Sequence, residues 1–138
     1  MTRHAILCGS APNGFTQKKI NSMHDFLTRD EGGLWLEKDI TIFPNGVTES
    51  MLTFVLNRLK SEKIEKILLY ICTLSPVADS EKSVWLNNEE IEKKVLLSVL
   101  EDSNAQVIFD CDREFLSDEE NSDSFMQIEV NALRGVLF

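Results

Sequence analysis

Lys66-Ile67-Leu68-Leu69-Tyr70-Ile71-Cys72 is the stretch that decides the fold. Ile67 to Cys72 offers no polar side to turn toward water, so the strand must be covered on both faces, as the central strand of a parallel sheet is. Covering it takes helices above and below, and the flanking sequence supplies them. Thr48 opens a helix with Met51, Leu52, Val55, Leu56 and Leu59 at spacings of three and four. On the other side Asn88 is placed to cap a helix bearing Ile91, Val95, Leu96, Val99 and Leu100. Glu89, Glu90 and Glu92 would sit in its first turn, where the positive end of the dipole favours them.

Further out, His4-Ala5-Ile6-Leu7-Cys8 reads as a buried strand running into the turn-rich Gly9 to Gly14. Thr16 is then the expected cap of a helix carrying Ile20, Met23, Phe26 and Leu27, with Phe15 and Ile20 as a staple and Gly32-Gly33 as its end. Asp39 to Phe43 alternates and is β-branched, a strand stopped by Pro44-Asn45-Gly46. Thr73 to Ser83 reads as a loop, Val84-Trp85-Leu86 as a short strand or hairpin arm, and Gln106 to Asp110 as another buried strand. Residues 116–124 form an acidic link. The segment 125–138 fits a strand through Ile128, Val130 and Ala132 slightly better than a helix through Ile128, Leu133 and Val136. Strands alternating with helices predict an α/β three-layer sandwich: a mostly parallel sheet of about four to six strands with helices on both faces. One domain spanning 1–138 is expected.

The chain has 138 residues, 43% of them hydrophobic, enough to bury one core and to exclude wholesale disorder. Fourteen basic against 23 acidic residues give a net charge of −9, which repels nucleic-acid phosphates and anionic lipid; neither is an expected partner. No apolar run reaches the roughly 20 residues of a membrane span, and Met-Thr-Arg-His begins no secretory segment. Cys8, Cys72 and Cys111 form neither a disulfide framework nor a zinc motif, so a reduced, cytoplasmic protein without a cofactor is expected.

In parallel sheets function gathers at the carboxyl ends of strands. That directs attention to Gly9 to Gly14, Phe43 to Gly46, Cys72 to Ser75 and Asp110 to Arg113. All three cysteines fall near such ends, but a thiolate nucleophile needs a base beside it. His4 opens the first strand, at the wrong rim, and His24 lies within a helix. Buried free cysteine is the ordinary alternative. Asp110-Cys111-Asp112 puts two carboxylates on one side of an extended chain, a Mg²⁺ ligand pair in one reading and a chance acidic pattern with one acid neutralised by Arg113 in the other. Gly9 to Gly14 matches no phosphate-binding loop and reads as a turn. Trp35 and Trp85 fit recognition or core edge equally.

The element order, the Ala-Ile-Leu-Cys-Gly opening, the third strand ending in Tyr70, the hairpin after it and the Val-Ile-Phe-Asp-Cys strand together resemble the core of caspase-like (clan CD, C14-type) cysteine peptidases, over about residues 3–113. In that family the third strand typically ends Tyr-Tyr-Ser-Gly-His-Gly and the fourth Asp-Ser-Cys or Asp-Cys-Cys. The resemblance therefore puts Leu74 at the position of the catalytic histidine and Asp112 at that of the nucleophile, with Cys111 one residue early. A one-residue shift in a strand reverses the face a side chain points to. The residues Ser10 to Phe15 also hold no arginine for an acidic P1 side chain. What the resemblance implies is a caspase-like fold that has lost peptidase chemistry, a pseudoenzyme binding a protein partner or a second copy of itself. The binding groove would comprise Cys72, Thr73, Leu74, Ser75, Trp85, Asp110, Cys111 and Asp112, with no metal. The enzyme alternative uses Cys111 with a non-standard or partner-supplied base; a further alternative is a Mg-binding D-x-D domain.

Overall fold

The computed structural model describes residues 2–9, 14–44, 47–75, 83–86 and 89–113. Within them the chain alternates strand and helix: β1 (Arg3–Gly9), α1 (Gly14–Thr28), β2 (Ile40–Phe43), α2 (Glu49–Ser61), β3 (Lys66–Ser75), β4 (Ser83–Leu86), β5 (Glu89–Glu92), α3 (Lys93–Val99) and β6 (Ala105–Arg113). Two 3-10 turns, Asp30–Gly32 and Glu37–Asp39, join α1 to β2. The sheet has the order β2-β1-β3-β6 and all its pairings are parallel. The antiparallel β4–β5 hairpin stands apart from it.

The deciding stretch is the centre of this sheet. From Ile67 to Thr73 every residue of β3 is buried, and successive side chains enter two different cores. Leu68, Tyr70 and Cys72 join Ala5, Leu7 and Ile108 under α1, against Ile20, Met23 and Leu27. Ile67, Leu69 and Ile71 join Ile6 and Cys8 on the opposite face, against Leu52, Leu56 and Leu59 of α2, Val84, Leu86 and Ile91 of the hairpin, and Leu96 of α3. At about 1.5–3 kcal/mol per fully buried large apolar side chain, this two-sided burial is the main force holding the layers together. The expected α/β three-layer arrangement is what the molecule has.

Local chemistry explains the ends of the elements. The hydroxyl oxygen of Thr48 accepts a hydrogen bond from the Met51 amide at 3.2 Å and caps α2, as its sequence predicts. Gly33 adopts φ 104°, a left-handed turn open to glycine at little cost, and closes the first 3-10 turn after α1.

Several boundaries differ from expectation. α1 begins at Gly14, so Thr16 lies inside its first turn, buried, and is not its cap. β3 does not stop at Cys72 but continues through Thr73, Leu74 and Ser75, because β6 pairs with it all the way from Ile67–Ala105 to Ser75–Arg113; the ladder overrides the polar composition. Helix α3 starts at Lys93, after Glu92, rather than after Asn88. Glu89 to Glu92 is instead drawn into the hairpin, where Ile91 pairs with Val84 and the Ser83 hydroxyl donates to Glu90 at 2.8 Å. The Phe15 staple, the turn at 10–13, the stop at Asn45-Gly46, the loop from Pro76, Asn88, the acidic link and the segment 125–138 lie outside what the structure describes.

Candidate functional site

The strand order reverses between β1 and β3, since the chain leaves β1 for β2 on one side and places β3 on the other. The crevice of such a sheet opens at the carboxyl ends of those two strands. Gly9 and Cys72 are register partners there, and Cys72 is in turn paired with Asp110 on β6. Of the expected groove residues, Cys72 and Asp110 are thus brought side by side on adjacent strands, whereas Thr73 has the opposite strand parity; all three are buried.

Asp110 is 1% exposed and is the centre of a polar network beneath α1. The Tyr70 hydroxyl donates to its Oδ2 at 2.7 Å. The Lys19 ammonium, reaching in from α1, lies 3.1 Å from Oδ1 and 3.2 Å from Oδ2. A buried carboxylate is tolerable only with such partners, because desolvation of an ion costs several kcal/mol. Burial pushes the Tyr70 phenol far above its ordinary value, with Cys72 and Asp110 adding to the shift, so its hydroxyl is a fixed donor. Lys19 and Tyr70 have no part in the sequence-based site. Nothing in the sequence singles out Lys19, and 91 positions separate it from Asp110. The counter-ion weighed for the acids was Arg113, whose side chain lies outside the described set, as do those of Leu74, Ser75, Trp85, Cys111 and Asp112.

Backbone register places the remaining positions. Leu74 pairs with Asp112 and Thr73 with Cys111. Position 112 has the same strand parity as Asp110, and position 111 the opposite parity, shared with Phe109. Cys72 and Cys8 lie in different cores. Burial pushes the Cys8 thiol up to about 12, which makes it inert near neutrality.

Neither histidine serves this end of the sheet. His4 pairs with Ile67, six residues before Thr73, a separation of roughly 20 Å along the strand. His24 is engaged by Glu37 at 2.8 Å and Asp25 at 3.2 Å. Trp35 is 2% exposed and belongs to the core, with the Arg3 guanidinium 4.4 Å from its ring centroid. Among the described residues no cluster of three or more His, Cys, Asp or Glu is arranged to hold a metal, and no helix is long and apolar enough to cross a membrane.

Among the described residues the buried Thr73 hydroxyl has no hydrogen-bond partner. Leaving a hydroxyl so costs about 1–3 kcal/mol. Thr73→Val keeps the shape and removes the polar atom, so it should raise stability by about 1 kcal/mol in urea unfolding; a loss of stability would mean the hydroxyl is satisfied in solution.

Comparison of the sequence with protein-family models and with curated proteins finds no match. What fold and site define is a class: a parallel α/β protein whose crevice end is buried around an ion-paired carboxylate.

Proposed function

We propose that this chain is a catalytically inactive caspase-like domain, a pseudo-peptidase that acts by binding a protein partner or a second copy of itself. The observation carrying the reading is the pairing of Leu74 with Asp112. These positions were assigned to the catalytic histidine and cysteine separately, from motifs ending two different strands. That they fall opposite one another, on neighbouring strands about 4.8 Å apart, is what a dyad requires and what a chance likeness need not give. With an aliphatic residue and a carboxylate at these two positions, neither the imidazole nor the thiol of the dyad is there, and nucleophilic turnover loses several orders of magnitude. The carboxyl ends of β3 and β6, with Trp85 and the loop around Pro76, form the binding surface in this reading.

Thiol chemistry tests it. Iodoacetamide at neutral pH should modify Cys111 no faster than an ordinary thiol; rapid, selective modification at Cys111 would point to the enzyme. Combining Leu74→His with Asp112→Cys should make the thiol at 112 react about ten-fold faster than in Asp112→Cys alone, because a neighbouring imidazole favours the thiolate. Equal rates in the two variants would sink the assignment of positions 74 and 112.

A further inference from the structure

The chain has two histidines, and both reach the same short segment, Glu37 to Thr41, from different elements. On the α1 side, His24 Nε2 lies 2.8 and 2.9 Å from the two carboxylate oxygens of Glu37, while Nδ1 lies 3.2 Å from Asp25 Oδ1. On the β1 side, His4 Nε2 lies 2.7 Å from the Thr41 hydroxyl. Glu37 opens the second 3-10 turn, which leads directly into β2, the edge strand that pairs with β1. Leu36, Glu37 and Lys38 are exposed, so this turn has little buried surface of its own.

An ionised carboxylate only accepts hydrogen bonds. A ring with carboxylates against both nitrogens satisfies them together only as the doubly protonated imidazolium, since a neutral ring has one N–H to give. We propose that His24 is a proton-operated clasp that pins the Glu37–Asp39 turn, and with it the entry to edge strand β2, against α1. Protonated, it bridges Asp25 and Glu37; neutral, it has one N–H for two carboxylates and no charge with which to hold Glu37, so the tie between turn and helix weakens.

The charges facing each ring set the direction. His24 meets Asp25 from its own helix and Glu37 from the turn, and hydrogen bonds to Glu37 first and Asp25 second hold it above the ordinary 6.5. Arg29 spends its Nε on the Asp25 carbonyl oxygen. A raised histidine contributes stability that is complete below 6.5 and is lost as pH rises through the folded value. His4 behaves oppositely: burial holds it below 6.5 against the pull of Asp39 and Glu62, so acidification works against it. The clasp therefore opens on the alkaline side, where His4 is neutral and unchanged.

Hydrogen exchange reads this directly through the Asp39 amide, bonded to the Leu36 carbonyl, and the Ile40 amide, bonded to the Glu37 carbonyl. After correction for intrinsic exchange rates, their protection should fall about two- to five-fold between about pH 6 and pH 8.5, the scale of a partly exposed ion pair. Amides within α2 should not change. His24→Gln should abolish the difference and His4→Gln should preserve it. Equal wild-type protection at both pH values, or a pH step retained in His24→Gln, would overturn the proposal.

Discussion

Replacing Lys19 by methionine is expected to destabilise the protein by about 3–5 kcal/mol, the range for removing one member of a buried ion pair. The Asp110 carboxylate is 1% exposed and loses the ammonium that now sits 3.1 Å away. The Tyr70 hydroxyl stays, but a neutral donor does not replace a charge. The reverse change, Asp110→Asn, should cost distinctly less. Lys19 is 17% exposed, and its long side chain can carry the ammonium out to water. The carboxylate, fixed to the strand, has no such escape. The asymmetry tells a buried ion pair from a surface one, for which either deletion would cost less than about 1 kcal/mol. Combining Lys19→Met with Asp110→Asn should recover most of the loss, because the buried charge and its counter-charge leave together. Urea unfolding of the three variants at neutral pH measures the cycle; additive losses would mean that the two side chains do not act as a pair.

That pair also marks where sequence reasoning stops. The central strand was legible because Ile67 to Cys72 has no polar face, and α2 because Thr48 and the Met51-to-Leu59 spacing state a helix locally. β3 beyond Cys72 was not legible: Thr73 suits a strand, but the Ser, Pro and Asp that follow read as a loop, and the segment is held extended by pairing with residues nearly forty positions away. Ile91 misled because it fits both a helix stripe and a hairpin face, and its partner Val84 chose the hairpin. Of the site, Cys72, Thr73 and Asp110 were found by the rule that strand ends gather function. Lys19 was missed because a lysine on a helix gives no local sign of a carboxylate 91 residues on. The hint available was an aspartate closing an apolar strand, a charge that had to find a partner somewhere.

Gly32→Ala should be comparably damaging, for a reason that involves no charge. A Cβ at position 32 would fall on the Phe26 carbonyl oxygen, 2.5 Å from its carbonyl carbon and 2.7 Å from Leu27 Cα. All three are backbone atoms of α1, so no side-chain rotation relieves the clash; the 3-10 turn must lift away from the helix end. Lifting it strains the Gly32 amide bond to Arg29 O at 3.1 Å and the Trp35 amide bond to Leu27 O at 2.8 Å, and so loosens Trp35 in the core. Overpacking of this kind costs about 3 kcal/mol where the neighbours are rigid. Gly9 supplies the control. A Cβ there meets the tip of Ile20, Cδ1, at 2.5 Å and the Pro44 carbonyl oxygen at 3.2 Å. Ile20 can change rotamer, so Gly9→Ala should cost about 1–2 kcal/mol. Thermal unfolding of the two variants side by side decides it: a Gly32→Ala midpoint no lower than that of Gly9→Ala would show that the turn packs less tightly on α1 than these distances require.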